Sequence, residues 1–220
     1  MTDGGWALWA VFRRGTAGQV PGDSSTEHLE QVLQELSDRG VTTRGVYDVS
    51  GLRADADLMF WFHGDDPAVL QWAVRRIRRT AMLAPLIPTW SALGVHREAE
   101  FNRSHVPGFL RGERARDWLA VYPFVRGYDW YVLPEEDRKR MLAEHGRKGA
   151  AFTSVVANTV SAFALGDYEW ILPMESDSLS DLVDMMRDLR ATEARLHVNE
   201  ETPFFTGRRI ELHELYEVLS

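Results

Sequence analysis

Cysteine is absent from this chain of 220 residues. Without thiols the protein cannot form disulfides, bind a metal through a thiolate or hold an iron–sulfur cluster through cysteine. Long hydrophobic runs are also missing, since no stretch approaches the roughly 18 apolar residues of a membrane-spanning helix. The first residues lack a basic segment before an apolar run, so the sequence predicts no signal peptide and a cytoplasmic location.

Positively charged residues are outnumbered by negatively charged ones, with 25 Lys and Arg against 33 Asp and Glu and a net charge of -8. That balance argues against a nucleic-acid partner, which is bound mainly through basic patches. Only Lys139 and Lys148 are lysines. The strong preference for arginine over lysine fits a GC-rich genome, and it also fits selection for carboxylate recognition by guanidinium groups. Aromatic residues are plentiful at 11%, which is compatible with strands or an aromatic-lined pocket.

Two parts of the chain are alike when offset by 112 residues. The segment 55–65 aligns with 167–177, the helix ending at 75–80 aligns with that ending at 187–192, and 10–15 aligns with 122–127. The sequence therefore predicts one unit that has been duplicated.

Each unit is predicted to run βαββαβ, the ferredoxin-like pattern, in an α+β protein whose two units form a dimeric α+β barrel. The predicted boundaries are 1–98 for the N-terminal unit, 99–116 for a linker over the pocket and 117–220 for the C-terminal unit. In the first unit, helices are predicted over Thr26–Leu36, ended by Gly40, and over Ala68–Leu83. In the second, a helix runs from Pro134 to a stop at Gly146, and Thr159–Leu165 pairs with Tyr168–Met174 through a tight Gly166-Asp167 turn.

His145 is a candidate metal ligand on the helix that begins at Pro134. Met141 and Leu142 precede it by four and three residues, so the three side chains share one face, directed at the core or at a pocket. Two interpretations stay open. The helix dipole favours a histidine near a helix C-terminus, and a neutral imidazole on this face could equally bind iron.

Tyr122 and His105 are candidates for redox and proton chemistry. A tyrosine keeps its proton near neutral pH, so a role as base is not expected and loss of an electron with a proton is the chemistry open to it. Histidine ordinarily has a pKa that suits a general base near neutral pH, so His105 is a candidate base, and an exposed loop histidine is the alternative. Along a strand Tyr122, Phe124 and Arg126 share one face. Arg126 could then hold a carboxylate through two hydrogen bonds and Trp130 could donate its indole N–H, or both could be ordinary surface and packing residues.

The chain resembles the coproheme decarboxylases, members of the chlorite-dismutase-like superfamily, and specifically the branch with a distal histidine. The resemblance covers most of the chain and is strongest over residues 100–209. Six segments carry it in order: Glu-Phe-Asn-Arg-Ser-His-Val-Pro, Tyr-Pro-Phe-Val-Arg-Gly-Tyr-Asp-Trp-Tyr, Glu-His-Gly, Ala-Leu-Gly-Asp-Tyr-Glu-Trp, Arg-Ala-Thr-Glu-Ala-Arg and Pro-Phe-Phe-Thr-Gly-Arg-Arg.

The resemblance implies hydrogen-peroxide-dependent decarboxylation of two propionates of iron-coproporphyrin III (coproheme) to vinyls, giving haem b through a tyrosyl radical. His145 matches the proximal iron ligand, Tyr122 the radical residue and His105 the base towards peroxide. Arg126, Trp130 and Asn102 match propionate-binding residues. A homopentamer and a transient contact with a coproporphyrin ferrochelatase are further implications.

Other functions of the same fold remain open: a haem peroxidase, a chlorite-degrading enzyme or a non-catalytic haem-binding protein. Chlorite-degrading relatives carry a distal arginine on the strand after the proximal-histidine helix. The nearest counterpart here is Asn158, which weakens that alternative.

Overall fold

The computed structural model describes residues 5–15, 24–98 and 106–220. The chain divides into two compact units, one formed by Met1–Val95 with Phe205–Ser220 and the other by His96–Phe204. Both contain helices and antiparallel strands, which confirms the predicted α+β class. No helix of the described segments is long and apolar enough to cross a membrane.

The first unit follows the predicted ferredoxin-like order. The elements are β1 (Trp6–Arg13), α1 (Ser24–Asp38), β2 (Thr42–Asp48), β3 (Leu58–Gly64), α2 (Pro67–Ile77) and β4 (Ile87–Val95), followed near the C-terminus by β10 (Phe205–Ile210) and α5 (Leu215–Leu219). The antiparallel sheet of this unit has the strand order β4-β1-β3-β2-β10.

Local sequence accounts for the two long helices of this unit. Leu29, Val32 and Leu36 recur on one face of α1 and are at most 1% exposed in the core. Gly40 follows α1 with a φ of 80°, the left-handed conformation expected just after a helix. At the start of α2, the Asp66 carboxylate accepts the Ala68 N–H at 2.8 Å, and Pro67 occupies the first turn.

The second unit repeats the pattern. Its elements are β5 (Trp118–Arg126), α3 (Glu135–Ala150), β6 (Val156–Ala157), β7 (Val160–Ser161), β8 (Trp170–Ser176), α4 (Leu179–Leu189) and β9 (Val198–Glu200). Strands β5 and β8 pair from Trp118↔Ser176 to Phe124↔Trp170. The two short strands β6 and β7 also pair with β8, and β9 pairs with β5.

Element boundaries confirm the predicted duplication. Strand β3 begins at Leu58 and β8 at Trp170, and both have seven residues. Helix α2 begins at Pro67 and α4 at Leu179, and both have eleven. Each pair of starts lies 112 residues apart, as the aligned segments predicted.

Two predictions in the second unit are wrong. Helix α3 does not stop at Gly146 but continues to Ala150, because Lys148 Nζ ties the last turn to the carbonyls of Asp188 and Ala191 at 3.3 and 3.0 Å. The predicted long strand pair over 159–174 is reduced to Val160–Ser161 against β8. The residues between these strands form a loop rather than a tight turn, with Ala164 at a positive φ of 64°.

Two elements of the first unit also differ from prediction. Helix α2 ends at Ile77 rather than Leu83, because the chain then turns through a hydrogen bond from Thr80 N–H to the Ile77 carbonyl at 3.0 Å. The C-terminal residues belong to this compact unit and not to the second, since β10 pairs with β2 between Arg208↔Asp48 and Ile210↔Val46.

We expect His63, on β3, to make the protein sensitive to acid. Burial first, and the charge of Arg44 second, lower its pKa from 6.5 to about 4. The unfolded chain therefore binds this proton at a higher pH, and the free energy of unfolding falls as the pH drops through that interval. When the pH is lowered from 7 to 5, the free energy of unfolding measured in urea should fall in both proteins. The fall should be about 2 kcal/mol smaller in His63→Gln than in the wild type. The exposed His28, changed to Gln, is the control. An equal loss in the wild type and in His63→Gln would contradict this assignment.

Candidate functional site

A cleft in the second unit brings together three of the predicted site residues. It encloses about 450 Å³ of empty space, part of it open to solvent. Its walls mix apolar side chains with charged ones, and come from β5, α3, β8, α4 and the segment after α4. The lining residues are Tyr122, Phe124, Arg126, His145, Leu172, Met186, Leu189, Arg190, Thr192, Ala194, Arg195, Val198 and Glu201.

Strand β5 supplies one wall through alternate residues. Tyr122, Phe124 and Arg126 all line the cleft, which confirms the face predicted from strand alternation. Pairing of β5 with β8 places Tyr122 opposite Leu172, another lining residue. The strand pair thus fixes where the phenol, the phenyl ring and the guanidinium enter the cleft.

Tyr122 is closely packed, and burial favours its neutral form. Its side chain is 3% exposed, and its ring stacks on Phe204 with centroids 4.2 Å apart and an interplanar angle of 17°. The hydroxyl donates to Met186 Sδ at 3.4 Å, a weak acceptor. Burial is the main cause that raises the pKa of this phenol well above its usual value. A neutral phenol agrees with the prediction that Tyr122 does not act as a base.

His145 presents one ring nitrogen to a neighbouring hydroxyl. Its Nδ1 lies 3.5 Å from Thr192 Oγ1, and this hydroxyl donates its own hydrogen to the Leu189 carbonyl at 2.9 Å. The hydroxyl oxygen is then left to accept from His145, so the hydrogen belongs on Nδ1 and the lone pair on Nε2. Such a second contact orients an imidazole that binds a metal.

Electrostatics keep the His145 imidazole neutral. Burial first, and the positive charge of Arg126 second, lower its pKa below 6.5, and nearby Glu144 only partly opposes them. A neutral imidazole at neutral pH can bind iron without first losing a proton. Among the described residues no three His, Asp or Glu side chains converge to hold a metal ion, so His145 offers a single donor.

Arg126 and Trp130 form a stack beside the cleft. The Arg126 guanidinium carbon lies 4.0 Å from the centre of the Trp130 ring and 4.9 Å from that of Phe124. Its Nη1 also donates to the Ala194 carbonyl at 3.4 Å. Trp130 is 1% exposed and does not line the cleft. Its ring supports the Arg126 guanidinium by stacking. The predicted contact between its indole and a propionate stays a prediction.

Sequence reasoning missed a second cationic group in the cleft, which we call the arginine pair: Arg190 and Arg195. Both guanidinium groups contact the Glu201 carboxylate, Arg195 Nη1 at 3.1 Å from Oε2 and Arg190 Nη1 through the same oxygen. Both belong to the segment Arg-Ala-Thr-Glu-Ala-Arg, which carries part of the family resemblance but does not by itself indicate a role for its arginines. Nothing in the local pattern at 190–201 marks these residues as partners of Tyr122.

His105 and Asn102, predicted as base and as propionate contact, lie outside the described residues. Asn158, the counterpart of the distal arginine, is fully buried. Its Oδ1 accepts the Phe109 N–H at 2.9 Å and its Nδ2 donates to Glu175 at 3.0 Å. Asn158 therefore anchors the segment before β5 rather than facing the cleft.

The donor set fits an iron porphyrin that carries carboxylates. A single neutral imidazole is a suitable axial ligand for haem iron, and apolar walls suit the porphyrin ring. Three guanidinium groups, from Arg126 and the arginine pair, are suited to propionates. A buried phenol completes the cleft with a group that can be oxidised but does not ionise.

Comparisons with known proteins agree with this chemistry. A family model described as chlorite dismutase matches residues 23–210. The coproheme decarboxylase of Mycolicibacterium smegmatis (strain ATCC 700084 / mc(2)155) is 55% identical over 184 residues, covering 83% of this chain and 80% of that protein.

Solved structures share the fold. A variant of the chlorite dismutase from Candidatus Nitrospira defluvii is 21% identical with a TM-score of 0.85, and the same enzyme in complex with imidazole is 20% identical with a TM-score of 0.84. Each alignment covers 97% of this chain and 94% of the other. At these identities the likeness concerns the fold alone.

Proposed function

This chain belongs to the chlorite dismutase family, and we propose that within it the protein is a coproheme decarboxylase that uses hydrogen peroxide. The reaction converts two propionates of iron-coproporphyrin III to vinyl groups and yields haem b. The observation that carries the proposal is the convergence of Tyr122, His145 and three arginines on one cleft. The 55% identity to a protein of that name supports the substrate.

Binding is the first task of the cleft. His145 offers Nε2 to the iron, while Thr192 holds the ring through Nδ1. Arg126 and the arginine pair hold propionates, and Trp130 fixes Arg126 by stacking. Leu172, Met186, Leu189 and Ala194 line the cleft and would supply the apolar contacts to the porphyrin that limit the access of water.

Tyr122 performs the step at the propionate. When bound, the iron porphyrin with hydrogen peroxide supplies the oxidising power. Tyr122 loses one electron and its phenolic proton, and the resulting radical takes a hydrogen atom from the propionate β-carbon. The propionate then releases carbon dioxide and a second electron, so its loss of two electrons matches one peroxide reduced to two waters. Two such rounds complete the product.

His105 is proposed as the base that takes a proton from hydrogen peroxide, and Asn102 as a further propionate contact. Both assignments rest on the family resemblance of residues 100–107. The homopentamer, the transient contact with a coproporphyrin ferrochelatase and the cytoplasmic location likewise stay predictions.

Competing functions make different demands on the cleft. A chlorite-degrading enzyme of this family needs a distal arginine, whereas Asn158 is buried against Phe109 and Glu175. A non-catalytic haem carrier needs the imidazole and the arginines to bind its ligand, but it does not need a buried phenol in the same cleft. The position of Tyr122 therefore favours the decarboxylase.

The proposal is tested by adding peroxide to the protein loaded with coproheme and measuring carbon dioxide. We expect two molecules of carbon dioxide for each porphyrin. Oxygen released from chlorite, with no carbon dioxide from coproheme, would favour the chlorite-degrading alternative. Stable coproheme binding with neither gas would favour the carrier.

A further inference from the structure

Glu201 has an unusual place in a cleft proposed to receive carboxylates. It is itself a carboxylate that lines the cleft, and one of its oxygens takes both members of the arginine pair. Its side chain is 14% exposed, against 39% for Arg190 and 37% for Arg195. The acid is therefore less accessible than the two cations it neutralises.

The contact between Glu201 and the arginine pair partly neutralises the positive charge of the cleft. The cleft wall contains three guanidinium groups and one carboxylate. Without an anion, the two like charges of the arginine pair would repel each other in a partly desolvated site. With Glu201 in place, a propionate that seeks the same pair must compete with a carboxylate already there.

The arginine pair and Glu201 line the same cleft as Tyr122. The Tyr122 hydroxyl donates to Met186, four residues before Arg190, and the Tyr122 ring stacks on Phe204, three residues after Glu201. Burial is the main cause that raises the pKa of the Tyr122 phenol; the Glu201 carboxylate also raises it, and Arg190 and Arg195 lower it. A ligand carboxylate taken by the arginine pair would be held close to the group that reacts with it.

We propose that Glu201 is an internal substitute carboxylate, which occupies the arginine pair before a substrate propionate arrives and again after that propionate has become a vinyl group. The inference rests on the proposed function and deepens it. A vinyl group accepts no hydrogen bond, so conversion leaves the pair without its ligand and Glu201 restores the neutralisation. Glu201 thereby opposes binding of the substrate and stabilises the complex with the product.

A positioning role makes the opposite prediction. If Glu201 merely orients the two guanidinium groups for a propionate, its neutralisation should weaken binding of a porphyrin that carries four carboxylates. If it competes for them, the same change should strengthen that binding. The sign of the effect separates the two roles.

Fluorescence titration with metal-free porphyrins measures the contribution of the carboxylates to binding without any contribution from iron ligation. Coproporphyrin III carries four carboxylates and protoporphyrin IX two. We expect Glu201→Gln to bind the tetracarboxylate about tenfold more tightly than the wild type, with the dicarboxylate unchanged or weaker. The ratio of the two affinities should therefore rise by about tenfold. Glu200→Gln, the exposed neighbour in the chain, makes the same change of charge and should leave the ratio unaltered.

The outcomes are distinct. Weaker binding of the tetracarboxylate, or an unchanged ratio, in a folded Glu201→Gln protein would overturn the inference while leaving the proposed function intact. A wild type that binds neither porphyrin would overturn the proposed function, and the inference with it. If Glu201→Gln does not fold, Glu201→Asp shortens the side chain and should raise the ratio in the same direction. An unchanged or lower ratio in that variant would also overturn the inference.

Discussion

Tyr122→Phe should abolish the conversion of coproheme to haem b while coproheme still binds. The change removes one oxygen and leaves the ring stacked on Phe204, so the cleft keeps its shape. Among the described residues the Tyr122 hydroxyl donates to a thioether, Met186 Sδ, and losing so weak a hydrogen bond costs little. Without a phenolic O–H no hydrogen-abstracting radical can form at this position. We expect the rate of carbon dioxide release to fall by at least about 100-fold, equivalent to about 3 kcal/mol of lost transition-state stabilisation.

Tyr128→Phe is the matched control for that variant. Tyr128 is 94% exposed and lies six residues along the chain, so the same atom is removed without touching the cleft. Its turnover should equal that of the wild type. Electron paramagnetic resonance after peroxide addition should detect a tyrosyl radical in the wild type and in Tyr128→Phe, but not in Tyr122→Phe. Unchanged turnover in Tyr122→Phe would remove Tyr122 from the mechanism.

His145→Ala should remove the proposed iron ligand and, with it, the reaction. Because the arginines would still be available for propionates, we expect coproheme affinity to fall by only about tenfold, whereas turnover falls by about 100-fold or more. The absorption spectrum should lose the features of an imidazole-bound iron. Imidazole added to the solution should enter the space left by the side chain and restore part of the spectrum and of the activity.

The exposed His213, changed to Ala, is the control for that experiment, because it removes an imidazole outside the cleft. It should bind coproheme and turn over like the wild type, and added imidazole should have no effect on it. A His145→Ala protein with an unaltered spectrum and normal turnover would exclude His145 as the ligand.

Periodicity and duplication allowed much of the fold to be predicted from the sequence. The offset of 112 residues gave matching starts for β3 and β8 and for α2 and α4, because each unit repeats the same local preferences. Strand alternation placed Tyr122 and Arg126 on one face, since the side-chain period of a strand leaves no other choice.

Other features depend on contacts that the local pattern does not contain. Gly146 is a reasonable helix stop by itself, but α3 passes through it because Lys148 is held by carbonyls some 40 residues away. The arginine pair and Glu201 line a cleft that exists because α4 packs against β5 and β8 through Leu182, Met185 and Leu189. Their residue types are common on any surface, so spacing could not distinguish them.

Mass spectrometry of the porphyrin during stepwise addition of hydrogen peroxide tests the central claim most directly. We expect the coproheme mass to decrease in two equal steps. Each step should correspond to the loss of one carboxyl group and one hydrogen, and each should consume one molecule of hydrogen peroxide. The final product should be haem b in the wild type and unreacted coproheme in Tyr122→Phe. Intact coproheme in the wild type after excess peroxide, or degraded porphyrin without these two steps, would contradict it.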